Sequence, residues 1–562
     1  MKTTLIYFYL IVLYFKPANA QDIPANVYYP NGMVVTAHPE ASKVGLAILK
    51  KGGNAIDAAV AVQFALAVVY PNAGNIGGGG FMVYRGAKGE ISTLDFREKA
   101  PALATRNMYL DSTTGNAIVD KSLYGHLASG VPGSVDGMVK AHAKYGKLPW
   151  QTLLLPAIKL AKYGFKITAM QAKELNKNKA NFLKYNPSGT ALLKQIDDWK
   201  LGDTLIQTQL SQTLIAIKNK GRAGFYQGKV AKCLISEINR GQGIISQKDL
   251  NNYQSIWRKP ITGFYKNYKI ITMPPPSSGG IALIQLLHAV ENYPLAKWGA
   301  NKDSTVQIMV EAERRVYADR ATHMGDPDFY AVPQAQLLAK KYQKQRMQNF
   351  NWNAATPSHM VKAGELWARQ SEETTHFCVV DKQGNAVSIT TTLNGLYGSL
   401  VVVSGAGFLL NNEMDDFSVK PGSPNLYGLV GGEANAIAPN KRMLSSMTPT
   451  IIEQAGKLFM VVGTPGGSTI ITSVFQAVLN VLEFNKTAQQ AVSFPRFHHQ
   501  WLPDEVFVEH NALNDSTQNY LNQKGYKITP REPMGRVEVI LKTPKGLQGG
   551  ADTRGDDCSL GY

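Results

Sequence analysis

Cysteine is nearly absent from this 562-residue sequence: Cys233, Cys378 and Cys558 stand far apart and form no CxxC pair. Three so scattered are too few for a disulfide framework, and the missing CxxC pair argues against a structural zinc site. Long apolar runs are missing too. Residues 5–15 form the clearest one, short of the roughly 20 residues that cross a bilayer, so no stable membrane span is expected. No segment has low complexity, and 44% hydrophobic with 18% charged residues describes an ordered globular chain. Acidic residues are outnumbered, 41 against 59 Lys and Arg, for a formal charge of +18. The lysines are spread along the chain, with the densest runs at 173–184 and 340–346 reading as solvated helix faces. Without a basic stripe interleaved with aromatics, nucleic acid is not an expected partner. The excess charge suits an anionic surface or anionic substrates.

What is present begins with targeting. Lys2, the apolar run 5–15, the small-x-small site Ala18-Asn19-Ala20 and polar Gln21-Asp22 predict a signal peptide over 1–20 and an exported, periplasmic or secreted, protein. The remaining length suits three or four domains or one large α/β body.

Helical spacing of Ala41, Val44, Ile48 and Leu49 predicts a helix that ends at Gly52-Gly53, and residues 55–69 predict a second, buried helix. The glycine-rich loop 72–80 lacks the spacing of a phosphate loop and reads as close backbone packing. Residues 81–85 and 91–97 form a strand pair, 104–350 read as mainly helical, and 351–373 as a polar connector. Beyond it short strands and glycine turns dominate, so the boundary falls at 373: a large part, 21–373, and a small part, 374–562.

The chemistry gathers just past that boundary. Residues 374–380 and 386–392 are strand-like around the turn 381–385. If Val380 pairs with Ala386, Thr374 lies opposite Thr392 on one face, about 5 Å apart at Cβ, with Asn394 nearby. Threonines are also ordinary strand residues. A buried strand, 458–463, leads through Thr464-Pro465-Gly466-Gly467-Ser468 into an apolar helix over 469–483. Bare N–H groups at such a turn could form an oxyanion hole; a tight turn needing φ > 0 demands the same glycines. Asn411-Asn412-Glu413-Met414-Asp415-Asp416 offers three carboxylates, Arg97 a guanidinium, and Ser445-Ser446 hydroxyls. Together these would read an α-amino acid head group, the carboxylates taking its ammonium and Arg97 with the serines its carboxylate. The loop 420–432 suits a hinged cover. Neither Asp415/Asp416 nor His498-His499 completes a metal ligand set, and no metal or cofactor is expected.

In order, Asp95-Phe96-Arg97-Glu98, Pro275-Pro276-Ser277-Ser278-Gly279-Gly280, Thr374-Thr375-His376-Phe377, Thr390-Thr391-Thr392-Leu393-Asn394, Asn411-Asn412-Glu413-Met414-Asp415-Asp416, Leu444-Ser445-Ser446-Met447 and Thr464-Pro465-Gly466-Gly467-Ser468 resemble the motifs of γ-glutamyltransferases (γ-glutamyltranspeptidases). The resemblance runs from about residue 27 to Tyr562. It implies the N-terminal-nucleophile hydrolase fold, an αββα sandwich formed jointly by two fragments of one precursor. It further implies self-cleavage between Glu373 and Thr374 into a heterodimer. Thr374 becomes the nucleophile with its new α-amine as base, oriented by Thr392, and Gly466 and Gly467 form the oxyanion hole. Arg97, Ser445 and Ser446 hold the substrate carboxylate; Asn394, Glu413 and Asp416 hold its amine; Tyr427 belongs to the lid. Position 413 is Gln in some bacterial relatives. The implied substrates are glutathione and other γ-glutamyl compounds, with water or an amino acid or peptide as acceptor. Cys378, on the same strand face as Thr374, reads as a small buried residue. Two other functions compete: an acylase of the same fold acting on glutaryl side chains, which lack the α-amine, and an uncleaved exported binding protein.

Overall fold

A computed structural model of the chain describes residues 27–194, 196–362, 374–420 and 431–562. The expected signal peptide, Glu373 and Tyr427 lie outside the described residues.

Among the described residues, thirteen strands form two stacked antiparallel sheets. In chain order they are β1 (Met33–Thr36), β2 (Gly79–Arg85), β3 (Ile91–Asp95), β4 (Ile256–Arg258), β5 (Ile261–Tyr265), β6 (Tyr268–Thr272), β7 (Thr375–Val380), β8 (Ala386–Thr392), β9 (Thr450–Gln454), β10 (Lys457–Gly463), β11 (Glu538–Thr543), β12 (Gly546–Gly550) and β13 (Cys558–Gly561). The first sheet has the order β13-β1-β7-β8-β2-β3-β4 and the second β12-β11-β10-β9-β6-β5. Strand alternation sorts their side chains. Val34, Met82, Phe377, Val379 and Ile389 face one core with helices α1 (Pro39–Lys50) and α2 (Ala55–Val69). Met33, Val35, Phe81, Cys378 and Val380 face the other, shared with the second sheet and with α3 (Gly279–Val290), α4 (Asp303–His323) and α5 (Ile470–Leu482). The result is the expected αββα sandwich. Every residue of α2 is buried, and Asn54 and Asp57 close its N-terminus as a reciprocal capping box.

Two sequence expectations change. The stretch 104–350 is not only helical, since β4, β5 and β6 fall within it and β6 pairs with β9 from Thr450↔Thr272 to Gln454↔Tyr268. The strand expected over 91–97 ends at Asp95, so Arg97 sits in the loop beyond it. The expectation that both sides of residue 373 build one fold jointly agrees with the sheet order. Strands β7 and β8 lie between β1 and β2, so segments from both sides of residue 373 interleave in one sheet. Neither part could form that sheet alone.

Candidate active site

The hairpin β7–β8 has Val380 opposite Ala386 and ends its ladder at Thr391↔Thr375. One step further places Thr374 beside Thr392, at the open end of the hairpin and on the inter-sheet face. Both are buried, at 4% and 3% exposure. Gly78 explains how the backbone closes over them: a Cβ there would stand 2.0 Å from the Thr392 carbonyl oxygen. The Asn75 side-chain amide donates to that same carbonyl (2.9 Å) and to Thr391 Oγ1 (3.0 Å). Thr392 Oγ1 accepts the Asn394 N–H (2.7 Å), and the Asn394 side-chain amide donates to the Asn412 carbonyl (3.0 Å). Asn394 adopts φ +75°, which turns the chain away from the strand.

Opposite Thr374 lies the turn between β10 and α5. Gly466 has φ +133° and Gly467 φ +51°, so both need the left-handed side of backbone space. The Gly466 carbonyl is occupied by the N–H (2.9 Å) and hydroxyl (2.8 Å) of Thr469. Gly467 opens a single 3₁₀ turn that runs directly into α5, which leaves its N–H at the positive end of the helix. The Tyr317 hydroxyl on α4 donates to the Ser468 carbonyl and fixes this turn from behind.

Thr374, Thr392, Asn394, Gly467, Ser445, Ser446, Arg97, Asp416 and Arg320 line one cavity of about 20 Å³, room for about one water molecule. Glu413 is fully buried behind Arg97, and Gly466 lies just outside the lining. Asp95 holds the Arg97 N–H (3.0 Å), and the Tyr253 hydroxyl donates to the Arg97 carbonyl (2.8 Å). The guanidinium meets Glu413 at 2.5 Å, Glu98 at 3.4 Å, and Asp416 in a short contact. The motifs assign Arg97 and the carboxylates to opposite ends of a substrate; in the fold they neutralise one another, because unlike buried charges within reach pair first.

Three carboxylates around one guanidinium cannot all carry full charge. Burial pushes Glu98 up to about 8 and Glu413 well above the ordinary range, against the pull of Arg97. Burial also raises Asp416, with Arg97 and Arg320 opposing. For Arg97 itself burial disfavours the charge, but Glu413, Asp416 and Glu98 outweigh it and raise the guanidinium.

Arg320, near the C-terminal end of α4, is the site residue that sequence reasoning missed. Its Nε donates to Ser278 Oγ (2.9 Å) and its Nη2 to Ser446 Oγ (3.1 Å). Burial lowers it to about 10. Helix α4 carries charges on every side yet is buried along most of its length, so it shows no apolar stripe that would have singled this residue out. Ser278 does double duty, its N–H and hydroxyl both donating to the Ser445 carbonyl (2.7 and 2.6 Å), so the 275–280 motif supports the serine pair. Cys378 is buried, 3.2 Å from His376 Nε2, and burial raises its thiol well above the ordinary value. Burial lowers His376 to about 3, so it is neutral and acts as part of the inter-sheet packing with Thr390. Among the described residues no group of three His, Cys, Asp or Glu could hold a metal ion. No helix there is long and apolar enough to cross a membrane.

The sequence profile of γ-glutamyltranspeptidases matches residues 41–562. The glutathione hydrolase proenzyme of Escherichia coli (strain K12) is 45% identical over 97% of this chain and 95% of its own length. A solved Helicobacter pylori γ-glutamyltranspeptidase chain is 47% identical with a TM-score of 0.57, covering 58% of this chain and 94% of its own. The crystal structure of a cephalosporin acylase from Bacillus halodurans superposes with a TM-score of 0.84 at 26% identity, over 98% of this chain and 99% of its own.

Proposed function

The chain belongs to the γ-glutamyltranspeptidase family, and from that premise we propose that Thr374, freed by cleavage after Glu373, is the nucleophile of a two-step γ-glutamyl transfer. The enzyme is an autoprocessing γ-glutamyltransferase with glutathione hydrolase activity. The observation that carries the assignment of residues is the convergence of Thr374, Thr392, Gly467 and the charged head-group residues on one buried cavity.

Until the 373–374 bond is cut, the Thr374 nitrogen is an amide and cannot take a proton. Cleavage turns it into an α-amine with an ordinary pKa of about 8, partly neutral at physiological pH. The Thr374 hydroxyl attacks the γ-carbonyl while its proton passes to that amine. Negative charge on the carbonyl oxygen is met by the Gly466 and Gly467 N–H groups at the start of α5. Collapse of the intermediate returns the proton to the leaving amine and leaves a γ-glutamyl ester on Thr374. Water then yields glutamate, or the amine of an amino acid or peptide yields a new γ-glutamyl product. Thr392 orients the nucleophile through the hydrogen-bonded 392–394 turn.

The substrate head group is a zwitterion, and the site offers both halves of its complement. Its ammonium takes the place of the Arg97 guanidinium on Asp416 and Glu413, with Asn394 beside them. The guanidinium so released, with Ser445 and Ser446, takes the α-carboxylate. Export, suggested by residues 1–20, belongs to the same reading.

Intact mass and N-terminal sequencing test the scheme. The mature protein should contain two fragments, 21–373 and 374–562, the second beginning at Thr374. Thr374→Ala should leave the chain uncut and reduce turnover by about 10⁴-fold or more. A single unprocessed but active chain would overturn it. The likeness to a cephalosporin acylase favours a second reading as a side-chain acylase. Faster cleavage of a glutaryl amide than of its γ-glutamyl counterpart would select that reading.

A further inference from the structure

The turn end of the β7–β8 hairpin lies about 20 Å from Thr374 at the ~3.3 Å rise of a strand residue. There the turns 86–89, 381–385, 454–457 and 543–546 of both sheets gather round an open groove of about 790 Å³. Among the described residues its charged lining consists of Arg85, Lys382, Lys457 and Lys542 against a single carboxylate, Asp381.

That carboxylate is fully engaged inward. It accepts the N–H groups of Ala55 (2.9 Å), Gln383 (2.9 Å) and Asn385 (3.0 Å) and the Asn385 side-chain amide (2.7 Å). Arg85 is bound to Glu453 at 2.9 Å, and Lys269 shares that Glu453 at 3.2 Å. Lys382, Lys457 and Lys542 are different. All three are exposed, and none forms an ion pair among the described residues. Three exposed ammonium groups therefore face one concavity with no acid paired to them among the described residues. The same groove has an apolar lining in Leu458, Phe459 and Pro544, and the Phe459 ring packs on Tyr268 with centroids 5.0 Å apart.

We propose that this groove binds a phosphate-bearing anion carrying an apolar chain, the chemistry of a lipid phosphate headgroup. Lysine suits phosphate as a strongly hydrated point charge that needs no planar fork, and three of them answer a multiply charged tetrahedral group. The Phe459 lining answers the chain. Like-charge repulsion among the lysines falls when the anion binds, so occupancy relieves an unfavourable feature of the free protein.

The test uses the processed two-fragment protein, anionic phosphatidylglycerol vesicles, neutral phosphatidylcholine vesicles, and inorganic phosphate alone. Binding to the anionic vesicles and not to the neutral ones is the expected result. Lys382→Gln/Lys457→Gln/Lys542→Gln should weaken it by roughly a hundredfold, at about fivefold for each lysine near an anionic surface, with γ-glutamyl turnover unchanged. A matched triple variant of exposed lysines elsewhere, Lys220→Gln/Lys229→Gln/Lys232→Gln, should leave binding within about threefold. Binding of phosphate with the same lysine dependence, and no gain from the lipid, would assign the groove to a free anion of the same chemistry. Equal losses in the two triple variants would show only the overall charge at work and overturn the proposal, as would no binding to any of the three probes.

Discussion

Arg97 and Arg320 face the same cavity from two walls, are both buried, and respond in opposite ways. Arg97 stands among Glu98, Glu413 and Asp416, and its charge is held more firmly than in water. Arg320 hydrogen-bonds to the hydroxyls of Ser278 and Ser446, and burial lowers it to about 10, with Tyr317 and Asp416 opposing. Desolvation acts on both; what differs is the neighbours. The lesson is that burial alone does not set the character of a charged site. One wall holds more acid than its cation can match, and the other holds a cation supported by neutral donors and acceptors. A zwitterion entering between them finds unlike polarity on its two sides.

Removing Arg97 breaks the comparison most severely. Arg97→Gln leaves three buried carboxylates without their cation, and breaking buried pairs of this kind costs about 3–5 kcal/mol. We expect kcat/KM for a γ-glutamyl amide to fall by about 10³-fold. Activity within tenfold of the parent enzyme would show that the acid wall does not depend on its guanidinium.

Arg320→Lys is milder, since charge is kept and only the two-hydroxyl fork is lost. If Arg320 works by positioning Ser446, KM should rise by about tenfold while kcat stays within about twofold. A fall in kcat with KM unchanged would place Arg320 at the transition state and make the two walls less distinct.

The smallest effect sharpens the comparison through pH. Glu98 is raised to about 8 from an ordinary 4.5, chiefly by burial, with Arg97 opposing and Asp416 and Asp95 adding to it. The folded state therefore holds a proton that the unfolded chain has lost between pH 4.5 and 8. The stability tied to the neutral form is complete below pH 4.5 and disappears as pH rises to about 8. Glu98→Gln stays neutral throughout, so its Tm relative to the parent should climb by a few degrees from pH 5 to pH 8. A constant difference across that range would mean that Glu98 is already ionised in the fold.

Part of this site is legible in the residues themselves. The 381–385 turn and the alternation on either side mark the hairpin, and of the registers open to it the structure has the symmetric one, with Ala386 opposite Val380. The paired glycines at 466–467 mark a strand-to-helix turn because their backbone angles exclude most other residues. Arg320 leaves no such trace. It lies on a helix that is charged all round and nevertheless buried, where a solvated surface is the ordinary expectation. The pairing of Arg97 with Asp416 is equally hidden, since 319 residues separate two groups that meet in space.

The amino-acid sequence by itself determined the local facts: which face of a strand a threonine occupies, where α2 runs, and where glycine is needed. These depend on neighbours a few residues apart and on backbone geometry. Only the tertiary structure decided that strands from both sides of residue 373 share one sheet, and that three carboxylates share one arginine. Those outcomes depend on burial, which removes water from charges distant in sequence and leaves them no partners but each other.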